Sequence, residues 1–162
     1  MASYWIKNWP TDTRRITSPY GMRWHPVSGS YKLHNGIDLS PPKKVGEWIK
    51  AVAAGKVIQA GYSSTAGYWV KIDHGNGWIS IYMHMRKGLK VKYGQKIKAG
   101  TKLGRMGTTG TSTAEHLHFG LTYKGVYKNP HTYLKRIGSL VWSKKNKVKA
   151  VQTLIGMSKK ET

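Results

Sequence analysis

Two short segments carry the residues best suited to chemistry. In HNGID, His34 and Asp38 stand four positions apart with Gly36 between them, and in TSTAEHLHFG, His116 and His118 are separated by one residue. Imidazole nitrogen and carboxylate oxygen are ligands that Zn²⁺ accepts in tetrahedral geometry. Three protein ligands leave a fourth position open, which is the arrangement of a catalytic site. His34, Asp38 and one histidine of the 116/118 pair make such a set. The other histidine then stands beside the open position, where a neutral imidazole can take a proton from water. Spacing alone leaves open which of the two ligates.

Other histidines differ in promise. His84 ends the run WISIYMHM, and strand alternation puts it on the same face as Tyr82. His74 falls in DHGNG and reads as a structural turn residue, and His131 follows a proline and reads as exposed. By the same alternation, His116 and His118 share one face of a strand.

These residues need a scaffold, and the patterning predicts an antiparallel β domain. WIKAVAAGKVIQAGY, GYWVKIDHGNGWISIYMHM and VKYGQKIKAGTKLGRMG are β-branched and aromatic runs punctuated by glycine. DHGNG between Tyr68–Ile72 and Trp78–Tyr82 marks a hairpin. Helix signals are scarce before NPHTYLKRIG, which can form a short helical turn. A length of 162 residues, 39% of them hydrophobic, suits one domain with a sizeable core, placed at residues 1–138. From Ser139 the texture becomes lysine-rich and helix-compatible, giving a basic tail over residues 139–162.

Composition narrows the function classes. The absence of cysteine excludes a disulfide framework and a thiolate site or nucleophile. No apolar run reaches the length of a membrane span, and the first sixteen residues lack the apolar centre of a signal peptide. The net charge of +22, from 28 Lys+Arg against six acidic residues, favours polyanionic partners such as nucleic acid, anionic lipid or bacterial envelope polymers. No helix-turn-helix, RNP sequence or zinc knuckle accompanies that charge, so no specific nucleic-acid partner is expected.

The ordered set HNGID, VAAGKVIQAGY, VKIDHGNGWISIYMHM and the segment from VKYGQKIKAG to EHLHFG resembles the lysostaphin-type zinc metallopeptidases, which cut peptide cross-links in bacterial peptidoglycan. The likeness spans roughly residues 16–134. It implies that His34, Asp38 and His118 hold one zinc ion and that His84 and His116 form the catalytic pair. It also implies a groove walled by loops over an antiparallel sheet. GMRWHPVSG resembles the Arg-x-His-Pro form of the family's first loop, which makes His25 a candidate stabiliser of the transition state. That form points to the D-Ala–meso-diaminopimelate cross-link in preference to a glycyl-glycine bridge. The chain departs from the family in having Ala-Glu before the HxH and Gly120 after Phe119, positions that touch the groove more than the metal. VKAVQTLIG in the tail resembles the first helix of small peptidoglycan-binding modules.

The expectation is therefore a monomeric phage lysis protein. It waits in the host cytoplasm and then acts on the wall or periplasm, held there by its charge. The rival readings are a non-enzymatic wall-binding or amidase-activating relative, a glycyl-glycine endopeptidase, and a basic nucleic-acid binder supported by charge alone.

Overall fold

The computed structural model describes residues 5–137 apart from residues 26, 44 and 113, so the tail expected over 139–162 lies outside the described residues. The described strands are β1 (Ile16–Ser18), β2 (Gly21–Trp24), β3 (Tyr31–His34), β4 (Ile37–Leu39), β5 (Trp48–Lys50) and β6 (Gly55–Ser63), then β7 (Gly67–Gly75), β8 (Trp78–Met85), β9 (Lys96–Ile97), β10 (Lys102–Arg105), β11 (Leu117–Tyr123) and β12 (Val126–Lys128). A short helix, α1, follows over residues 130–137.

Asn76 and Gly77 turn the central hairpin with φ of 54° and 90°. Two successive positive φ values are what a two-residue turn needs to match the twist of the flanking strands, and Asn-Gly supplies them at least cost. His74 is thus not a turn residue. It lies within β7, where its Nδ1 bonds the Ala54 carbonyl at 2.7 Å and its Nε2 bonds the Ser80 hydroxyl at 2.7 Å.

The strands assemble an eight-stranded antiparallel sheet in the order β1-β4-β11-β8-β7-β6-β9, with β12 also on β11; β5–β10 and β2–β3 form separate two-stranded ribbons. Period-two alternation divides the sheet's faces. Ile37, Leu39, Tyr82, Leu117, Phe119 and Leu121 point into one core with Ile49 of β5 and Leu103 of β10. At α1, the Asn129 side chain accepts the His131 N–H at 3.0 Å and Pro130 occupies the first turn, a favourable start for a helix. Leu134 and Ile137, three apart, bury that helix against the same core. The residues between the core positions, Asp38 in β4 and His118 in β11, face the other way.

Candidate metal centre

HNGID folds as the end of one strand and the start of another. His34 closes β3 and is buried, whereas Asp38 sits in β4 directly across from His118 in β11. Gly36 joins them without a side chain because a Cβ there would lie 2.8 Å from His118 Nε2 and collide with the Phe119 carbonyl. Two stretches 80 positions apart in the chain are thereby brought into contact.

The ring nitrogens converge on one oxygen. Asp38 Oδ1 lies 3.2 Å from His34 Nε2, 3.1 Å from His118 Nδ1 and 3.7 Å from His116 Nε2. One ligand atom each from His34, Asp38 and His118 lie within 4.8 Å of one another. A tetrahedral ion with ligands at ~2.0–2.1 Å sets them about 3.3 Å apart, so the two shortest separations already fit. The outer nitrogens agree: His34 Nδ1–H donates to the Pro19 carbonyl at 2.8 Å and His118 Nε2–H donates to Asn35 Oδ1 at 3.2 Å. In that tautomer each ring would turn its lone pair to a cation at the shared centre, as metal-binding histidines do. Burial pushes the Asp38 carboxyl up, but hydrogen bonding to His118 and His34 and the coulombic pull of His116 and His118, whenever those rings carry a proton towards it, outweigh burial. Asp38 is held well below the usual carboxylate range, as an anion suited to a cation.

His84 and His116 stand beside this set. Their ring centroids are 5.0 Å apart, and His84 lies 6.3 Å from His118. Each is pinned by a backbone carbonyl on its Nδ1–H: Thr109 at 2.7 Å for His84 and Ala114 at 2.8 Å for His116. Their Nε2 atoms are then the unprotonated acceptors. Burial lowers the His84 pKa to about 4, and the neighbouring His116 and His118 push the same way. It is neutral at neutral pH.

The route by which His84 reaches this place corrects the strand reading. Alternation would send it to the face of Tyr82, but Tyr82 is fully buried in the core, where it accepts the Val52 N–H at 3.1 Å and the Ser80 hydroxyl at 2.8 Å. Tyr82 pairs with Val70 and Met85 with Tyr68, so Met83 and His84 together oppose Trp69. This is a β-bulge. His84 takes φ of 68° at the bulge, and its side chain is re-aimed into the groove beside that of Met83.

A groove of about 530 Å³ holds His25, His34, Asp38, His84, His116 and His118. All six candidate residues are brought together, and His74 and His131 are outside it. His25 is half-buried, and its Nδ1 accepts the N–H groups of Val27 at 3.2 Å and Ser28 at 3.1 Å. Two supporting residues were not singled out from the sequence. Asn35, inside HNGID, orients His118, and Thr109 supplies the carbonyl for His84 while its hydroxyl accepts the Tyr68 N–H at 3.0 Å. Among the departures, Glu115 proves structural: its carboxylate accepts the Gly46 N–H and meets Arg86 at 3.4 Å.

Residues 32–130 match the model of peptidase family M23. The peptidoglycan DD-endopeptidase ShyC of Vibrio cholerae is 40% identical over 124 residues, covering 76% of this chain and 28% of that protein. A zinc-containing peptidase from Vibrio cholerae superposes with a TM-score of 0.69 at 34% identity, over 76% of this chain and 39% of that one. The catalytic domain of lysostaphin from Staphylococcus simulans gives 0.65 at 31% identity, over 75% and 92%. The chain spans about a quarter of the length of the curated relatives it matches, 28% and 25% of two of them. On the family match and the ShyC identity, the chain belongs to peptidase family M23.

Proposed function

We propose that this chain is a zinc-dependent endopeptidase of bacterial peptidoglycan that hydrolyses the D-Ala–meso-diaminopimelate cross-link. The observation that carries the reading is the convergence of His34 Nε2 and His118 Nδ1 on Asp38 Oδ1 with two further neutral-capable imidazoles alongside. His34, Asp38 and His118 would hold the ion. Zinc bound there supplies Lewis acidity, which polarises a scissile carbonyl and makes water a competent nucleophile at neutral pH.

The chain's own residues do the rest. His84 and His116 present unprotonated Nε2 atoms to the same space, so one takes the proton of the attacking water and the other hydrogen-bonds the reacting centre. The protonated imidazole then delivers its proton to the leaving amine. His25 supplies a donor: with Nδ1 occupied as an acceptor, the proton of its neutral ring lies on Nε2, suited to a developing oxyanion. No glutamate is needed as base.

The choice of bond is supported by the Arg-x-His-Pro form of the loop carrying His25 and by the DD-endopeptidase relatives. A phage lysis role, with the protein held in the host cytoplasm before reaching the wall, belongs to the same reading. The charge of +22 supports it by favouring an anionic envelope. Elemental analysis and mass spectrometry of digested walls test the proposal. About one zinc per chain, and fragments with a free D-Ala carboxyl and a free diaminopimelate amine, are expected. Full lytic activity in metal-free protein would overturn the zinc assignment, and glycine-terminated fragments from a staphylococcal wall with diaminopimelate cross-links left intact would overturn the bond.

A further inference from the structure

The β2–β3 ribbon that ends in His34 carries two cations whose role the reaction does not explain. Arg23 and Lys32 are directly opposed across the ribbon, two residues along from the pair Gly21 and His34. Opposed residues share a face, and so do residues two apart along a strand. Lys32 and Arg23 therefore lie on the face of His34, about 7 Å along the ribbon from it. Both line the groove, Arg23 half-buried and Lys32 exposed. Like charges set directly opposite destabilise a ribbon. Water screens part of that repulsion at exposed Lys32, and a bound anion would relieve the rest.

The described residues supply nothing. No ion pair among the described residues involves Arg23 or Lys32. The described carboxylates are engaged elsewhere: Asp12 with Lys50 at 2.6 Å, Glu47 with the Thr13 N–H at 2.7 Å, Asp73 with the Gly75 N–H at 2.9 Å, and Glu115 with Gly46 and Arg86. Asp38 is surrounded by its own imidazoles. No described carboxylate is left to face Arg23 and Lys32, which leaves the pair open to an anion carried by the substrate.

We propose that Arg23 and Lys32 form a carboxylate-binding subsite that reads a free carboxylate on the carbon bearing the scissile nitrogen. This rests on the endopeptidase reading of the groove and deepens it. A diaminopimelate acceptor carries a carboxylate on that carbon, whereas a glycine bridge and the side-chain amine of lysine do not. A guanidinium fork pairs with a carboxylate through two parallel hydrogen bonds, and an ammonium beside it adds a second charge. The subsite thus selects the amine side of the bond by charge, independently of His25.

The test uses the zinc-loaded full chain and two purified cross-linked muropeptide dimers. One has the acceptor carboxylate free, and in the other it is a carboxamide. Turnover gives kcat and KM, and calorimetric titration of the zinc-loaded His116→Ala chain gives binding without cleavage. The free acid should bind and show a KM better by roughly tenfold, as for one charge-assisted hydrogen bond at a partly exposed site, with kcat little changed. In an Arg23→Gln/Lys32→Gln double variant that retains zinc and native circular dichroism, that preference should collapse towards unity. Equal handling of both dimers by the wild type would overturn the subsite and leave the endopeptidase reading standing; this arm needs no variant to fold. A preference that survives in the double variant also overturns it. Cleavage of neither dimer by the zinc-loaded wild type would remove the endopeptidase reading and the subsite together.

Discussion

His74, within β7 of the main sheet, and the groove histidines differ in how their nitrogens are used. At His74 both ring nitrogens end on protein atoms, Ala54 and Ser80, and Ser80 passes the chain of hydrogen bonds to Tyr82 and Val52. The network is closed. In the groove, His34, His84 and His116 each spend one nitrogen on a backbone carbonyl and leave the other facing a shared space. Burial lowers the pKa of both His74 and His84. A depressed pKa therefore does not distinguish a structural histidine from a functional one; the unspent nitrogen does.

The sharpest break of this contrast is at Asp38. Asp38→Ala removes the oxygen on which the open nitrogens converge, and activity should fall to background with zinc lost by elemental analysis. That loss should exceed the effect of any acid–base residue. His84→Ala and His116→Ala should each keep zinc and lose roughly 10²–10⁴-fold in kcat. Loss of metal from either variant would show that ligand and base had been exchanged. Asn35→Ala frees the outer nitrogen of His118 and should weaken zinc affinity by roughly 10–100-fold in a competition titration with a chelator. Catalysis at saturating zinc should suffer less.

On the closed side, His74→Ala should leave zinc binding and kcat intact while costing about 1 kcal/mol in denaturant unfolding, because buried Ser80 loses one partner whereas the exposed Ala54 carbonyl can turn to water. The same histidine gives a pH signature. Its folded pKa lies below the ordinary value of 6.5, so the unfolded state binds its proton first as pH falls. Its contribution to stability is complete above about pH 6.5 and is lost as the pH falls through the folded value. The acid-side slope of stability against pH should be shallower in His74→Ala than in the parent.

Much of the centre was legible in the sequence because its parts are local. The spacing of His34 and Asp38 survives as a strand end and a strand start, and the alternation of His116 and His118 survives as two side chains in one groove. The hairpin was legible through Asn76-Gly77. His84 was legible only through the family resemblance, since strict alternation gave the wrong face. A bulge is a property of two paired strands, and nothing in WISIYMHM announces that Met83 and His84 will share one partner. The supports at Pro19, Thr109 and Ala114 are carbonyl oxygens, which every residue possesses, so no side-chain pattern marks them. The pairing of β4 with β11 is likewise a long-range choice.

That pairing has a consequence for how the protein comes into being. Asp38 and His118 meet across 80 positions of chain, so the metal set does not exist until β4 has zipped onto β11. Contacts of such separation are slow to form because loop closure must precede any reward. An ion that binds only the closed pair then acts as a clasp on that loop and deepens the native state by mass action. Zinc uptake during refolding should therefore keep the clock of sheet assembly, and a chain whose two segments are kept from pairing would carry all six candidate side chains yet no centre.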